Sequence, residues 1–591
     1  MLKMIFCILI IVGNNFLLSQ NLFPDREEKL QQLKSRNGIK VSEVEKGIFQ
    51  LQFSDGHSII ENTNDYTPPE ENIIEYSPDF DSTIIDLRTI DTSLYYQKYS
   101  FWQEVNIGYR PQTSPVIGDM NNNNLPEIYG YKRGYNDPDY SNIFIMEENN
   151  QSSFDSVYGY DSTALVKSIY DVDKDGMKEL HLGRDTDWDH QYLFFKKFND
   201  TSFATDLSFI FEPWLNNNSQ QDNNLFGDWD GDEFTDQIFI KECCPNSIYV
   251  FEYNPLINNF DSVYQFDFST LDLFYAGFSV GDFDQDGKTE LFSGSLHGKV
   301  LSIENNGNNS YYPNWQGMVE TYNAYLLAGT SDIDGNGKPE VWVGGDAFYS
   351  GLGITRITLF ENNGDNNYQA VGKIDLIGVF SFYATNIQVL DVDKDGKEEI
   401  MICIDEHVII LKFNGSPNHQ IYSVYYIKRN DLLASGRNSE FYGATMYNMT
   451  DDDKEDIVIH MDEAINIPPW YPIRLFTFIY KSNLSSGIID DNNLPNNFIL
   501  YQNYPNPFNA ATTINFELSE YSSVSLKVYN CLGKEITTLI KKELSPGSYS
   551  VNWEGMDNNH TLLSSGVYLI RLTAISNSET YTQTIKSLLL K

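Results

Sequence analysis

Residues 282–290 read Asp282-Phe283-Asp284-Gln285-Asp286-Gly287-Lys288-Thr289-Glu290, with carboxylates at positions 1, 3, 5 and 9 and glycine at position 6. Alternate acidic side chains on a tight loop bring their oxygens towards one point. That arrangement suits a hard cation such as Ca²⁺, which takes roughly six to eight oxygen ligands. Position 6 has to turn sharply, often with a positive φ, and glycine adopts that conformation at the lowest cost.

The same pattern recurs along the chain. Clear copies have Asp171, Asp173, Asp175 and Glu179; Asp282, Asp284, Asp286 and Glu290; Asp332, Asp334, Asn336 and Glu340; and Asp391, Asp393, Asp395 and Glu399. A variant has Asp228, Asp230, Asp232 and Asp236, with Glu233 in place of glycine, and two weaker copies begin at Asp119 and Asn448. The seven first positions are 52, 57, 54, 50, 59 and 57 residues apart. A fixed period of this length is typical of solenoids, propellers and arrays.

Each repeat contains four short β-like segments separated by Asn, Gly and Asp turns. One runs into the loop (277–280), one leaves it (290–294), and a third and a fourth follow, as at 249–252 and 260–264. Four antiparallel strands in each of seven units predict an all-β fold, a seven-bladed β-propeller over residues 96–483. The last unit lacks a fourth strand before residue 490, so we predict that the segment near 101–105 completes it and closes the ring.

The repeat resembles the FG-GAP/VCBS family, whose blades carry Asp-x-Asp-x-Asp-Gly-x-x-Asp/Glu loops in propellers of the integrin-head type. The resemblance covers roughly residues 100–480. It implies that the side chains at positions 1, 3, 5 and 9, and the carbonyl at position 7, bind Ca²⁺. An EF-hand is excluded because a strand follows the loop and position 12 is Ser293.

The alternative to metal binding is a set of Asx-rich turns that hold no ion. We expect several Ca²⁺ ions, in the loops that begin at Asp171, Asp228, Asp282, Asp332 and Asp391. We expect none in the loops at Asp119 and Asn448, where Asn121, Asn123 and Thr450 supply less charge. At ten times Kd each ion stabilises the fold by about 1.4 kcal/mol. Because five such sites together approach the stability of a domain, we expect a structural role for the metal.

The N-terminal region predicts a secreted protein. Residues 1–20 resemble a signal peptide, with Lys3 before an apolar run at 5–12 that is too short to span a bilayer. No later stretch is a candidate transmembrane segment. Residues 21–95 are predicted as an N-terminal extension and linker, with a helix at 25–35, a hairpin at 47–60 and a polar linker at 62–81. Removal of the signal leaves four cysteines (Cys243, Cys244, Cys403 and Cys531), which do not make a disulfide framework.

Residues 484–497 are predicted as a linker, and 498–591 as a separate immunoglobulin-like β-sandwich with strands near 523–529, 547–553 and 566–572. This domain resembles the type A sorting domain of the type IX secretion system. The resemblance rests on Leu500-Tyr501-Gln502-Asn503-Tyr504-Pro505-Asn506-Pro507-Phe508-Asn509, on 528–535, on 565–572 and on 586–591, with Cys531 as a mild departure. It implies that residues 498–591 bind the type IX secretion machinery, that the protein crosses the outer membrane, and that the domain is usually cleaved on arrival.

Composition and motifs limit the range of possible functions. A net charge of −43 argues against nucleic-acid binding. The chain has no His-Glu-x-x-His, Gly-x-Ser-x-Gly or P-loop motif, and its eight histidines are scattered. We read the polar cluster at 185–190 as a connecting loop, and Trp102, Trp214, Trp315 and Trp470 as inter-blade packing in preference to a sugar-stacking face. The sequence therefore predicts a non-enzymatic, secreted or cell-surface, calcium-stabilised propeller that binds a glycan or protein ligand in adhesion. The alternatives are a polysaccharide-active enzyme of the lyase type and a purely structural surface protein.

Overall fold

The structure is a computed structural model, and its polypeptide forms two compact units, 1–486 and 487–591. It describes residues 25–35, 40–52, 58–64, 75–95, 98–108, 115–131, 142–149, 153–161, 164–185, 190–197, 199, 202–213, 225–241, 247–267, 278–295, 297–349, 351–379, 386–430, 438–450, 452, 454–464, 473–483, 498–500, 503, 506, 508, 512–518, 522–530, 533–544, 547–553, 555–558, 561–575 and 580–589. The predicted signal peptide (1–20) and linker (484–497) lie outside these residues. No helix in the described parts of the chain has the length and apolar character needed to cross a membrane.

The N-terminal extension packs on the outside of the propeller. It comprises helix α1 (Arg26–Ser35), an antiparallel meander of β1 (Lys40–Glu45), β2 (Ile48–Gln52) and β3 (Ser58–Asn62), strand β4 (Tyr76–Asp86) and two 3₁₀ turns (Leu87–Thr89 and Thr92–Tyr95), and it is followed by strand β5 (Tyr99–Val105) of the propeller. The predicted helix and hairpin are both present. Leu33 and Phe49 are buried against Tyr264, Phe266 and Tyr311. The meander therefore extends a core that two blades already share.

Strand β4 corrects one prediction. Residues 62–81 were predicted as a linker, but residues 76–81 belong to β4, which pairs in parallel with the outermost strand of the fifth blade. The pairing is irregular between Tyr76 and Asp81, and Pro78, which has no N–H to donate, lies in that interval. The strand was missed because it is a mostly exposed edge strand whose pairing depends on its backbone rather than on an apolar pattern.

Seven sheets form the blades in the described part of the first unit, each with four blade strands, and β4 adds a fifth strand to the sheet of blade 5. The strands of each blade are given from the innermost outward. Blade 1 comprises β6 (Val116–Gly118), β7 (Glu127–Tyr131), β8 (Asn142–Glu148) and β9 (Phe154–Asp161), and blade 2 comprises β10 (Leu165–Tyr170), β11 (Glu179–Asp185), β12 (His190–Lys197) and β13 (Ala204–Phe211). Blade 3 comprises β14 (Leu225–Gly227), β15 (Asp236–Lys241), β16 (Ser247–Asn254) and β17 (Asn259–Asp267), and blade 4 comprises β18 (Phe278–Gly281), β19 (Glu290–Gly294), β20 (Lys299–Asn305) and β21 (Tyr311–Met318). Blade 5 comprises β22 (Leu326–Gly329), β23 (Val341–Tyr349), β24 (Leu352–Asn362) and β25 (Tyr368–Ile377), and blade 6 comprises β26 (Asn386–Leu390), β27 (Glu399–Ile404), β28 (His407–Phe413) and β29 (Tyr422–Arg429). Blade 7 comprises β30 (Asn438–Tyr447), β31 (Asp456–Ala464), β32 (Ile473–Ser482) and, as its outermost strand, β5.

The ring closes as the sequence predicts. Strand β5 pairs antiparallel with β32, so the N-terminal side of the propeller supplies the strand that blade 7 lacks. Each neighbouring pair of blades, including blades 7 and 1, shares a cluster of buried apolar side chains. Every residue of β27 is buried, because this strand is covered by a neighbouring blade on each face. Trp315 is buried in the cluster between blades 4 and 5, as predicted for a packing residue, whereas Trp214 and Trp470 lie outside the described residues.

A β-bulge recurs at the same place in all seven blades. The pairing of the third with the fourth strand shifts by one residue, for example between Ser302 and Ile303 in blade 4 and between Ile410 and Leu411 in blade 6. A bulge adds local right-handed twist to a strand pair. The seven blades therefore share this bulge, although no residue pattern common to the repeats predicts it.

The second unit is a β-sandwich, as predicted. One sheet comprises β33 (Ile499–Leu500), β34 (Thr512–Leu518) and β37 (Gly547–Trp553), and the other comprises β35 (Ser522–Asn530), β36 (Glu535–Leu544), β38 (Gly566–Ile575) and β39 (Thr580–Leu589). Burial alternates along β38, because one face of that strand lies on the core and the other is more exposed. Phe516, Leu526 and Ile570 are fully buried between the sheets.

Candidate metal centre

The acidic loops connect the first and second strands of each blade, and their backbone follows one pattern. Position 6 has a positive φ in the six loops where it is described, and so does position 4. At position 6 the values are +88° for Gly176, +89° for Gly287 and +86° for Gly396. Glu233 adopts the same conformation at +77°, in a region that L-residues other than Asn and Asp enter at a cost. The sequence identified this strain at position 6 but missed the second left-handed residue at position 4.

Backbone amides fix one oxygen of each loop carboxylate. In blade 4, the amide of Gly287 donates to Asp282 Oδ2 at 3.1 Å, that of Asp286 to Asp284 Oδ1 at 3.2 Å, and that of Lys288 to Asp286 Oδ1 at 2.9 Å. The loops of blades 2, 5 and 6 repeat the bond from position 6 to position 1 at 2.7–3.0 Å. Because these amides orient the side chains, the remaining carboxylate oxygens are held close together rather than dispersed into solvent.

The position-9 carboxylate provides the clearest test of whether a cation fits. Glu290 is fully buried, and its Oε2 accepts the amide of Phe283 at 2.7 Å. Its Oε1 is also buried but has no hydrogen-bond partner, and the same is true of Glu127 Oε1, Glu179 Oε1 and Asp236 Oδ1. A buried carboxylate oxygen without a partner costs free energy unless an ion or a water satisfies it. An all-oxygen donor set of this kind fits Ca²⁺.

Burial and the neighbouring carboxylates raise the pKa values of the position-9 carboxyl groups. Burial is the main cause that raises the pKa of Glu290 to about 8; the charges of Asp284 and Asp282 act in the same direction, and the amide of Phe283 acts against them. Burial also raises the pKa of Glu179 and that of Glu340 to about 8. In a loop without a cation, these carboxyl groups therefore hold protons near neutral pH. A bound divalent cation would keep them ionised.

The structure brings most of the predicted ligands together. Sets whose oxygens lie within 4.8 Å of one another are Asp282, Asp284, Asp286 and Glu290; Asp171, Asp173 and Glu179; and Asp228, Asp230 and Asp236. In blade 5, Asp334 and Glu340 converge instead on the side-chain nitrogen of Gln420, at 3.1 and 3.2 Å. Asp332 and Asn336 belong to the same loop, and Asn336 donates to Asp334 at 3.2 Å. In blades 2 and 6, Asp175, Asp393, Asp395 and Glu399 contact a lysine ammonium of their own blade.

Sequence reasoning missed the residue that faces position 9 across the β-hairpin. This residue lies on the third strand. In blades 1 to 6 its side chain reaches the loop, whereas in blade 7 the ammonium of Lys481 lies over the ring of Trp102, 3.4 Å from its centroid. Strand pairing places a glutamate there in blades 1, 3 and 4 (Glu147, Glu252 and Glu304). When the register of the other blades is continued by one residue beyond the last strand pair, the facing residue is Glu361 in blade 5 and a lysine in blades 2, 6 and 7 (Lys196, Lys412 and Lys481). Two of the glutamates join further sets within 4.8 Å: Glu252 with Asp230 and Asp232, and Glu304 with Asp284 and Asp365.

The two weaker loops are closed by hydrogen bonds. In blade 1, the side-chain amides of Asn121 and Asn123 donate to Glu147 Oε2 at 3.0 and 2.9 Å. In blade 7, both oxygens of Asp456 accept backbone amides, from Met449 at 3.2 Å and from Ser482 at 2.8 Å. These N–H donors occupy some of the carboxylate oxygens that would otherwise coordinate a cation. The expectation that these loops hold no ion stays a prediction.

The loops of blades 3, 4 and 5 also hold the next blade. Their position-3 aspartates accept a backbone amide from the turn between the third and fourth strands of the blade that follows. The three bonds are Asn309 N to Asp230 Oδ2 at 2.6 Å, Asn366 N to Asp284 Oδ2 at 2.8 Å and Asn418 N to Asp334 Oδ2 at 2.8 Å. Because the donors lie in left-handed turns with φ between +54° and +65°, the contact has the same geometry each time. These loops therefore couple a candidate metal site to an inter-blade contact.

At the other end of the blade-5 strands, the hairpin between β23 and β24 exposes apolar side chains. Phe348 is 54% exposed, and Tyr349 and Leu352 are each 40% exposed. Tyr322 meets Phe348 edge to face, with ring centroids 5.6 Å apart. Scattered exposed apolar residues are normal, but a cluster of aromatic rings at a hairpin tip is a candidate contact surface.

Comparison with protein families agrees with this architecture. Residues 282–343 and 332–402 match the FG-GAP-like repeat, and residues 504–578 match the FlgD Ig-like domain. No curated protein matches the sequence. The chain therefore contains FG-GAP-like repeats within a seven-bladed propeller and an Ig-like C-terminal domain.

Solved structures resemble the chain only weakly. The crystal structure of BBS1N has a TM-score of 0.38 at 8% identity, covering 66% of this chain and 98% of that one. PorZ, described as a surface component of the type-IX secretion system of Porphyromonas gingivalis, has a TM-score of 0.28 at 12% identity, covering 94% and 75%. A putative 6-phosphogluconolactonase from Bacteroides fragilis has a TM-score of 0.33 at 8% identity, covering 66% and 94%. Identities and TM-scores as low as these do not indicate a shared function. The chain is thus an all-β protein, similar in its repeats to the FG-GAP family and in its second unit to the FlgD Ig-like domain.

Proposed function

We propose that this protein is a secreted or cell-surface binding protein, in which a calcium-stabilised propeller presents a ligand surface for adhesion. The observation that carries the calcium part is the buried, unpartnered Oε1 of Glu290, which lies among Asp282, Asp284 and Asp286. Carboxylate oxygens without nitrogen or sulfur ligands select Ca²⁺ over softer metals. When bound, the ion supplies the positive charge that these side chains lack.

The protein's own residues give the ion a structural role. Asp282 and Asp286 are tied to the loop backbone, and Asp284 accepts the amide of Asn366 from blade 5. Glu290 holds the amide of Phe283, the residue that begins the loop's turn. Loss of the ion would therefore loosen the loop and the contact to the next blade together. Nothing in this arrangement places an open ligand position beside a substrate-binding group, which supports stabilisation over catalysis.

The ligand surface that we propose is the aromatic tip of blade 5, formed by Tyr322, Phe348, Tyr349 and Leu352. Aromatic rings with one face in water stack on sugar rings and anchor protein partners at little cost in side-chain entropy. A glycan or an exposed protein loop is the ligand class that suits such a tip. The tip lies at the strand ends opposite to the acidic loops, so binding there leaves the metal sites free to stabilise the blades.

A non-enzymatic role is supported by the positions of two of the described histidines, whereas His419 is half exposed beside Asp81. His181 and His460 are buried inside blades, and burial lowers the pKa of both, that of His460 to about 3. A histidine held neutral within a β-sheet is poorly suited to proton transfer at a surface cleft. The polysaccharide lyase alternative requires convergent basic or acid–base groups at an exposed site, and a purely structural role requires no ligand at all.

The C-terminal sandwich is proposed as the export signal, a type A sorting domain that is recognised by the type IX secretion machinery. The motif residues described by the structure support a folded role: Asn503 donates to Thr512 Oγ1 at 2.8 Å and to Ser587 Oγ at 2.9 Å. Asn506 donates to the carbonyl of Lys586 at 2.9 Å. The resembling segments at the two ends of the domain are therefore joined to each other. Removal of residues 498–591 should retain the protein in the periplasm of a type IX-competent host, whereas unchanged export would refute this role.

The binding function is tested with the exported protein in millimolar Ca²⁺. It is incubated with a panel of polysaccharides and with whole cells, and both co-sedimentation and release of reducing or unsaturated ends are measured. Retention without product, lost in a Phe348→Ala/Tyr349→Ala variant but kept in Phe101→Ala, is the expected result; Phe101 is a matched exposed ring, on β5. Product release that EDTA abolishes would favour the lyase. Absence of retention and of product would favour the purely structural role.

A further inference from the structure

The residue that faces position 9 divides the acidic loops into two classes of opposite charge. In blade 4, Glu304 pairs with Glu290 across the hairpin, and in blade 3, Glu252 pairs with Asp236. In blades 2 and 6 the same register position holds Lys196 and Lys412. Directly opposed residues of an antiparallel pair are close enough to interact. The loops that share one sequence pattern therefore differ by two units of charge at this single position.

The lysines are placed inside their loops. Lys196 Nζ lies 2.6 Å from Asp173 Oδ2 and 2.6 Å from Asp175 Oδ2. The ammonium of Lys412 contacts Asp393 Oδ2, and it lies 2.7 Å from Asp395 Oδ2 and 3.1 Å from Glu399 Oε1. In each case it contacts at least two of the carboxylates that would hold a cation. Both lysine side chains are mostly buried, at 27% and 24% exposure, so they belong to the loop and not to its outer rim.

The glutamate loop of blade 4 has the opposite arrangement. Glu304 is 2% exposed, and its Oε2 has no hydrogen-bond partner. It adds an unpaired carboxylate oxygen beside Glu290, whose Oε1 is also unpartnered. Lys288 reaches Glu304 Oε1 and Asp286 from the loop rim, but this lysine is 40% exposed and is itself at position 7, outside the hairpin. Its ammonium can leave for solvent, whereas Glu304 cannot.

We propose that Lys412 is a built-in cation, so that the loop of blade 6 folds without a divalent ion, whereas the loop of blade 4 requires one. In blade 2, Lys196 contacts Asp173 and Asp175 but leaves Glu179 Oε1 without a partner, so the proposal does not extend to that loop. An ammonium and a Ca²⁺ ion cannot share one set of oxygens, because they compete for the same lone pairs and repel each other. This inference rests on the calcium role proposed above and restricts it to particular blades. The predicted ligands Asp393, Asp395 and Glu399 then act as acceptors for Lys412.

The test counts bound Ca²⁺ in the full chain by native mass spectrometry, with two matched position-1 variants. Asp282→Asn in blade 4 should lose one ion relative to the wild type, and Asp391→Asn in blade 6 should lose none. Loss of an ion from Asp391→Asn would overturn the lysine inference and leave the calcium role in place. Retention of all ions by Asp282→Asn would overturn the calcium role at blade 4, and with it the requirement inferred for that loop.

A lysine variant tests the same idea in the opposite direction. Lys412→Met removes the internal ammonium, so the variant should bind one more Ca²⁺ ion than the wild type. Its melting temperature should also rise more with Ca²⁺ concentration than that of the wild type. Lys397→Met is the control, because Lys397 is in the same loop but its ammonium lies over the ring of Phe413 at 4.7 Å. It should gain no ion. An unchanged ion count in Lys412→Met would refute the inference. If this variant folds only in Ca²⁺-containing buffer, that dependence is itself the gain of a calcium requirement.

Discussion

Replacement of Glu290 by glutamine should stabilise the metal-free protein and remove the stabilisation that Ca²⁺ gives at this site. Glutamine has the same shape and keeps an oxygen for the amide of Phe283, which Glu290 Oε2 accepts at 2.7 Å. Its NH₂ group would take the place of the unpartnered Oε1, where it can donate to the neighbouring aspartates. The same substitution removes a charged ligand that Ca²⁺ needs. The advantage of the variant over the wild type should therefore be larger in EDTA than in Ca²⁺.

The size of the effect follows from the acidity of Glu290. Burial raises its pKa from 4.5 to about 8. At pH 7 the unfolded chain is ionised at this position and the folded, metal-free chain is mostly protonated. Since each pKa unit corresponds to about 1.4 kcal/mol, the carboxyl group disfavours the metal-free fold by about 3 kcal/mol at pH 7. Most of this cost should disappear in Glu290→Gln. In Ca²⁺ at ten times Kd, the variant should lose the contribution of one site, about 1.4 kcal/mol.

Urea unfolding of the full chain at pH 7, in EDTA and in Ca²⁺, measures both effects. Asp456→Asn is the matched control, because both oxygens of Asp456 accept backbone amides. An NH₂ group placed there faces an N–H donor, so this variant should be destabilised equally in the two buffers. The reasoning is refuted if Glu290→Gln lowers the urea midpoint in EDTA, because Glu290 would then stabilise the fold without a metal.

Three further predictions concern the whole propeller. Deletion of residues 96–110 removes the strand that completes blade 7, and should open the ring; an unchanged melting curve would show that β5 is not needed for closure. The contribution of Glu179 and Glu340 to the stability of the EDTA-treated protein should be fully present below pH 4.5 and be lost as the pH rises towards 8, because their folded pKa values are raised. Added Ca²⁺ should reduce this loss in thermal melts at several pH values between 5 and 8. Phe476→Ala, at a fully buried ring between blades 6 and 7, should cost about 3–5 kcal/mol in urea unfolding. A cost as small as that of the exposed Phe101→Ala would contradict the assigned packing.

The repeat architecture could be predicted because its determinants are local. A loop such as 282–290 carries its own turn residue, its own carboxylates and the strands on either side, so one copy specifies one corner of a blade. Seven copies at one period then specify the number of blades, and the missing fourth strand of the last blade specifies where the ring closes. Strand β4 shows the limit of this reasoning. Its pairing with blade 5 depends on backbone groups, and its exposed side chains have no reason to follow an apolar pattern.

By itself, the sequence determined the all-β fold, the seven blades, the closing strand and the loop carboxylates, because these are set by short-range patterns. Tertiary structure alone decided which side chain faces each loop. The distance along the chain from position 9 to its facing residue ranges from 13 residues, between Glu399 and Lys412, to 25, between Asp456 and Lys481, because hairpin lengths differ between blades. Only the strand register places a glutamate or a lysine against otherwise similar loops, and Coulomb interactions at that position set the balance between a bound ion and an internal ammonium.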